Sequence, residues 1–161
     1  MKSMYEEISE KIKAADVILV GLGENEKYDD NDMDILASII EDKNYYIVSL
    51  SQDAEYRKIL SDRFKNITFP FGDDVNETWE NYMKWLQLTL NKNLVVMEFG
   101  VSFKYPDIIR FPFEKVVYYN KKAEFVRVNE VFYQLPKEIS DKGTGIELSA
   151  KEFLKELSGT L

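Results

Sequence analysis

The chain contains no histidine and no cysteine among its 161 residues. Composition therefore excludes a Cys/His zinc site, a Ser-His-Asp or Cys-His nucleophile pair and a disulfide framework. The chemistry that remains is that of carboxylates, hydroxyls, amines and backbone groups. A carboxylate serves as a general base near neutral pH only when its surroundings raise its pKa.

The densest group of ionisable side chains lies in the segment 24–34. It contains six carboxylates, those of Glu24, Glu26, Asp29, Asp30, Asp32 and Asp34. We interpret the segment as a solvated acidic entry to a helix, because negative charge stabilises a helix N-terminus. A divalent-cation site is the lesser alternative, since the segment lacks the glycine and terminal glutamate of an EF-hand loop. The pattern fits both a loop that closes over a cleft and one that turns away from it.

Short apolar runs alternate with helical patterns along the chain. Strands are predicted at 17–20, 45–48, 67–69, 94–97, 125–128 and 145–148, and helices at 5–14, 33–41, 54–60, 76–90, 107–120 and 150–157. Asn76 and Ser149 are expected to cap their helices, and Pro112 to kink or divide the helix that contains it. Near-continuous apolar strands separated by helices indicate strands that are buried on both faces. The sequence predicts one α/β domain over residues 1–161, with a Rossmann-like, doubly wound, mostly parallel sheet of about six strands and helices on both faces.

Ligands of such a sheet bind beyond the carboxyl ends of its strands. The segments that follow the first five strands read GLGEN at 21–25, SLSQD at 49–53, FGD at 71–73, GVSF at 100–103 and VRVN at 126–129. Asp53 is interpreted first as a helix N-cap and second as an amide-recognition group. Arg110 and Arg127 are interpreted as solvated or bridged to surface acids, with phosphate contact as the alternative.

In order and content, these segments resemble the ligand loops of sirtuins. The resemblance is to the GAGIS turn, the TQNID segment, the HG dipeptide, the GTS loop and the IN dipeptide, each after a strand. Two further phrases, WLQLTLNK and FPFEKVVYYN, are similar to bacterial sirtuin-like proteins. The resemblance implies a site for NAD or ADP-ribose built from Gly21, Gly23, Ser51, Asp53, Gly100, Ser102 and Asn129.

The departures from sirtuins fall on the chemistry. Phe71 stands where the family has its general-base histidine, and Leu50 and Ser51 replace the Gln and Asn of TQNID. Only 27 residues separate Gly72 from Gly100, so we expect no zinc-binding small domain, no zinc and no other metal site. The resemblance therefore implies a pseudoenzyme with no catalytic residue and no protein deacetylase activity.

The charge balance excludes several classes of partner. The formal net charge is −8, with 21 basic and 29 acidic residues, and the basic residues are scattered. Nucleic acids and anionic membrane surfaces are bound by clustered Lys and Arg, so neither is expected as a partner. No run approaches the 18 or so apolar residues of a membrane span, and the N-terminus lacks the apolar region of a signal peptide. The sequence therefore predicts a cytoplasmic protein.

Two classes of function remain open. The first is a degenerate sirtuin-like module that binds a nicotinamide or ADP-ribose nucleotide without deacylation. The second is a structural or interaction domain that has lost the ligand and contacts a homodimer mate or another protein through the helix between Trp79 and Leu86. The aromatic stripe of that helix is interpreted first as core. A weak NAD glycohydrolase that uses Asp53 to orient water is a lesser possibility.

Overall fold

A computed structural model describes residues 1–73 and 75–161, without the side chain of Val75. In that part of the chain the helices are α1 (Met4–Ala14), α2 (Asp30–Ile40), α3 (Ala54–Arg63), α4 (Val75–Gln87), α5 (Arg110–Tyr119) and α6 (Ala150–Ser158). The strands are β1 (Val17–Leu22), β2 (Asn44–Ser49), β3 (Ile67–Thr68), β4 (Leu94–Phe99), β5 (Glu124–Val128) and β6 (Gly143–Ile146). A 3-10 helix at Lys137–Lys142 precedes β6 and was not predicted.

The strands form one parallel sheet in the order β3-β2-β1-β4-β5-β6. β1 lies at the centre, with Val17 opposite Asn44 of β2 on one side and Leu94 of β4 on the other. The prediction of a doubly wound α/β fold is confirmed. The strand order reverses between β1 and β4, and a sheet of this kind opens its ligand crevice at such a reversal.

The core lies on both faces of the sheet. In β1, Ile18, Val20 and Leu22 pack against α1, α2, α3 and α6, while Val17 and Leu19 face α4 and α5. All six residues of β1 are buried. Burial on both faces explains why the strands read as continuous apolar runs instead of alternating patterns.

Some predicted boundaries are wrong. α4 begins at Val75, so Asn76 lies inside its first turn and is not the N-cap. α5 begins at Arg110 instead of 107, which places Pro112 in the first turn, where a missing N–H costs nothing and the helix is not divided. β6 begins two residues before the predicted strand. The cap at Ser149 is confirmed, since its side chain accepts a hydrogen bond from the Glu152 amide.

The aromatic stripe of α4 packs on the sheet. Tyr82 is buried, and its ring centroid lies 5.3 Å from that of Tyr46 on β2 and 5.3 Å from that of Trp79. Trp85 is partly buried against the same cluster and donates from its indole nitrogen to Asn44 Oδ1 at 2.8 Å. The interpretation of this stripe as core is therefore confirmed. Among the described residues, none of the helices has the length and apolar character that crossing a membrane requires.

Candidate functional site

The turns that follow β1 and β4 meet at the carboxyl edge of the sheet. The Gly23 amide donates to the Phe99 carbonyl at 2.9 Å, and the Gly100 amide donates to the Val128 carbonyl at 2.9 Å. A Cβ on Gly23 would overlap the carbonyl oxygen of Gly100. Glycine at position 23 is therefore a requirement of the close approach between these two turns.

Gly100 is the point at which the acidic loop covers the turn after β4. Its φ of +63° is in the left-handed region, and a Cβ there would lie 2.6 Å from the carboxylate carbon of Glu26. The Tyr28 hydroxyl donates to Glu26 Oε1 at 3.1 Å. Burial raises the pKa of Glu26, and the Tyr28 hydrogen bond partly opposes this rise. The Glu26 carboxyl group thus lies over the glycine turn that follows β4.

A pocket of about 210 Å³ opens beside these turns. The polar and charged side chains of its lining include those of Glu24, Glu26, Ser102, Asn129 and Glu130. The Ser102 hydroxyl donates to Glu24 Oε1 at 2.5 Å. The other oxygen, Glu24 Oε2, is buried and has no hydrogen-bond partner among the described residues. The pocket is therefore lined by three carboxylates, and one oxygen of Glu24 is a buried acceptor without a donor.

Asn129 joins the loops that form one wall of the pocket. Its Nδ2 donates to the Val101 carbonyl at 3.0 Å, and its Oδ1 accepts from the amides of Val131 and Phe132, each at 2.9 Å. The side chain is buried. Asn129 therefore holds the segment after β4 against the segment after β5 and leaves one amide hydrogen for a ligand.

A buried ion cluster lies under the same two loops. Arg127 donates from Nε to Glu98 Oε1 at 2.9 Å and from Nη2 to Glu98 Oε2 at 3.1 Å, and it also contacts Glu114 at 2.8 Å. Arg110 approaches Glu98 at 3.5 Å and donates to the carbonyls of Val101 and Phe132 at 3.2 and 3.0 Å. The cluster ties both loops to the sheet through charge-assisted hydrogen bonds.

The prediction that Arg110 and Arg127 are solvated or bridged to surface acids is wrong, since both are buried. Burial raises the pKa of Glu98, and its two arginine neighbours oppose that rise. The sequence did carry a signal for this cluster. Glu98 interrupts the apolar run of β4, and Arg127 interrupts that of β5. An unpaired charge is costly inside a strand that is buried on both faces. Opposite charges in adjacent strands of this kind are therefore expected to pair.

Ser51 and Asp53 lie after β2 and do not line the pocket. Asp53 Oδ1 accepts from the amides of Glu55 and Tyr56 at 3.0 and 3.2 Å and so caps α3, which confirms the N-cap interpretation. The Lys27 amine contacts Asp53 Oδ2 at 2.5 Å, and this hydrogen bond is the main cause of the lowered pKa of Asp53. A carboxylate with a lowered pKa is a weak base for activating water.

Gly21 and Phe71 serve packing in the structure. Gly21 lies within β1, and a Cβ there would lie 2.7 Å from side-chain atoms of Ile109 and Phe113, so the glycine lets α5 approach the strand. The Phe71 ring lies 4.7 Å from that of Tyr105, whose hydroxyl accepts from Gln52 Nε2 at 2.9 Å. The position that the sirtuin resemblance assigns to a general base is thus held by an aromatic pair.

The acidic segment divides into two parts. Glu24 and Glu26 lie over the cleft, while Asp29 caps α2 in a capping box with Asp32. Asp34 is exposed and pairs with Arg63 at 3.2 Å. The interpretation of the segment as an acidic helix entry is therefore confirmed for its second part. In the described ranges 1–73 and 75–161, no three carboxylates are arranged to hold a metal ion.

Comparison with known proteins adds little to this geometry. No protein-family model matches the chain, and no curated protein matches it. A solved structure from Thermotoga maritima, provisionally assigned as an alcohol dehydrogenase, is similar at 10% identity and a TM-score of 0.47. The similarity covers 91% of this chain and 38% of that one, so the present chain spans well under half of that protein's length. Function must therefore be inferred from the site itself.

Proposed function

We propose that this protein is a non-catalytic, sirtuin-like binding domain that holds the nucleoside part of a nicotinamide or ADP-ribose nucleotide in the pocket beside Glu24. The carrying observation is the buried, unpartnered oxygen Glu24 Oε2 at the point where the strand order reverses. A buried acceptor without a donor is costly, and rotation of the Glu24 side chain toward the pocket would let a ribose hydroxyl supply the missing donor. Acidic side chains bind ribose hydroxyls in dinucleotide folds, although there the acid follows the second strand, whereas Glu24 follows β1.

The size and charge of the pocket favour a nucleoside over a whole dinucleotide. Its volume of about 210 Å³ is below the roughly 300–1,000 Å³ of pockets that enclose drug-sized ligands. A phosphate placed about 4 Å from one carboxylate would lose on the order of 1 kcal/mol even in a water-like dielectric. Glu24, Glu26 and Glu130 all line the pocket, whereas a cationic nicotinamide ring would be attracted to them.

The absence of catalysis is proposed from two side chains. Phe71 packs on Tyr105 at the position of the expected base, and a phenyl ring cannot accept a proton. Asp53, the remaining carboxylate of the resemblance, is held ionised by Lys27 and by its role as a helix cap. We therefore expect neither acyl-lysine removal nor NAD hydrolysis.

Isothermal titration calorimetry with nicotinamide riboside, adenosine, ADP-ribose and NAD tests the proposal. We expect saturable binding of the nucleosides, with NAD no tighter than nicotinamide riboside. Glu24→Gln should weaken nucleoside binding by about 10- to 100-fold, because a hydrogen bond to a charged acceptor contributes about 1.5–3 kcal/mol. Glu55→Gln, an exposed change on α3, is the matched control and should leave the affinity unchanged.

Three outcomes would contradict this function. One is the lack of any saturable heat up to millimolar nucleoside. Another is equal affinity of the Glu24→Gln variant and the original protein, which would place the ligand elsewhere. The third is NAD-dependent removal of the acetyl group from an acetyl-lysine peptide, which would show that a residue elsewhere in the chain serves as the base.

A further inference from the structure

An exposed apolar surface lies at the amino edge of the sheet, opposite the pocket. It is formed where α4 leads into β4 and α5 leads into β5, and we call it the α4–α5 surface. Leu88, Leu90 and Tyr119 are 69%, 61% and 69% exposed there. Asn120 Nδ2 donates to the Thr89 carbonyl at 3.1 Å, which holds the two turns together. This hydrogen bond therefore fixes the position of the turn after α4 relative to the turn after α5.

Two apolar grooves run along α5 on this surface. One, of about 520 Å³, is lined by residues that include Leu86, Leu90 and Val116. The other, of about 280 Å³, includes Tyr118 and Ile139 together with the carboxylates of Glu114 and Glu138. Lys115 and Tyr119 line both grooves, so α5 is a ridge between them. Contiguous exposed apolar surface of this kind is characteristic of interaction sites.

Among the described residues, the lining of the larger groove includes Lys115 and no carboxylate. This lining comes from residues 81–93 and 115–123, which contain no acidic residue, although Glu80, Glu114 and Glu124 flank them. The same two segments contain five lysines, Lys84, Lys92, Lys115, Lys121 and Lys122. All five are exposed, and within the described residues none of them forms a salt bridge. An apolar surface with unpaired lysines is complementary to a partner that is both apolar and acidic.

We propose that the α4–α5 surface docks an acidic amphipathic segment of another protein, with apolar side chains in the larger groove and carboxylates facing the lysines beside it. A second copy of this chain fits less well, because a symmetric contact would place Lys115 and its neighbours against the same lysines. This proposal does not depend on the nucleoside site.

The test uses a synthetic peptide with leucine at positions i, i+3, i+4 and i+7 of each helical repeat and glutamate elsewhere. A peptide with lysine in place of every glutamate is its control. We expect the glutamate peptide to bind with an affinity that falls as salt is added. Its binding should shift the backbone amide resonances of residues 86–92 and 115–122. The lysine peptide should bind at least tenfold more weakly.

Two variants keep the test falsifiable. Leu90→Ser with Tyr119→Ser should abolish binding, and both side chains are exposed, so folding should be retained. Lys115→Glu with Lys121→Glu should lower the affinity for the glutamate peptide at least tenfold and raise the affinity for the lysine peptide. Ile59→Ser with Lys65→Glu changes exposed residues away from the surface and should have no effect.

Several results would overturn the proposal. Equal binding of both peptides would remove the role of the lysines, and resonance shifts confined to other residues would move the contact elsewhere. A dimer in light scattering that Leu90→Ser with Tyr119→Ser dissociates would identify the occupant as a second copy. Binding to phosphatidylglycerol vesicles in the absence of peptide binding would identify a membrane contact instead.

Discussion

Replacing Arg127 with methionine should cost more stability than almost any other single change in this protein. The guanidinium donates to both oxygens of Glu98, to Glu114 and to the Gln134 carbonyl, and Glu98 itself is 0% exposed. Arg127→Met keeps the apolar stem but leaves Glu98 with only Arg110, at 3.5 Å. Removal of one partner from a buried ion pair costs about 3–5 kcal/mol. For a chain of this size, this corresponds to a fall of roughly 6–20 °C in melting temperature.

Two further variants separate the ion pair from packing. Arg127→Met combined with Glu98→Gln removes both charges of this pair. We expect it to recover part of the lost stability, because the desolvation cost of the carboxylate disappears while Arg110 loses its buried counterion. Lys58→Met breaks the exposed pair with Asp62, whose atoms lie 3.2 Å apart, and should change stability by less than about 0.5 kcal/mol.

The pH dependence gives a second readout. Burial raises the folded-state pKa of Glu98 above its ordinary value of 4.5. Its contribution to stability is therefore fully present below that ordinary value and is lost as pH rises through the folded-state pKa. Removal of Arg127 takes away the main influence that lowers this pKa, so the loss at higher pH becomes larger. The stability gap between the original protein and Arg127→Met should widen from about pH 5 to about pH 8.

Urea unfolding followed by tryptophan fluorescence at the two pH values measures all four proteins. Equal slopes with shifted midpoints would attribute the change to stability of the folded state. A cost below about 1 kcal/mol for Arg127→Met would refute the assigned role of the pair. So would a gap that does not change with pH, or a double variant that is no more stable than the single one.

Three other changes probe the turns around the pocket. Gly100→Ala places a side chain at φ +63° and should cost about 1–2 kcal/mol in urea unfolding; a neutral result would contradict the left-handed backbone. Burial raises the pKa of Glu26, so the Glu26→Gln variant should lose less stability than the original protein between pH 5 and 8. Calorimetry should also show that this variant binds NAD more tightly. Asn129→Ala orphans the Val101 carbonyl and two amides and should cost about 2–4 kcal/mol in thermal unfolding, with Asn129→Asp intermediate because it keeps the acceptor.

The fold class could be predicted because strands that are buried on both faces of a parallel sheet consist of consecutive apolar residues. The run from Val17 to Val20 has no polar position, and β1 is buried along its whole length. Caps such as Ser149 and Asp53 were predictable because each acts on amides two or three residues away. The cap at Asn76 failed because α4 begins one residue earlier, and a cap residue is not distinguished from a first-turn residue by type alone.

The candidate site was predictable only in part. Gly23 follows β1, Gly100 and Ser102 follow β4, and Asn129 follows β5. The common direction of parallel strands brings all four residues to one edge of the sheet. Ser51 and Asp53 follow β2 but line no part of the pocket, because Asp53 is taken by the α3 amides and by Lys27. A residue that follows a strand is available to a ligand only when its side chain is not already hydrogen-bonded or ion-paired to its neighbours.

The sequence by itself determined the strand and helix order, the acidic balance and the absence of histidine and cysteine chemistry. Tertiary structure alone decided that Glu98 meets Arg127, that Glu26 covers Gly100, and that Leu90 and Lys115 line one groove. Glu98 and Arg127 are 29 residues apart in the chain, yet their Cα atoms are register partners in β4 and β5. Such pairings depend on strand order and register, and these are set by the packing of the whole domain, whereas periodicity and caps depend on near neighbours in the chain.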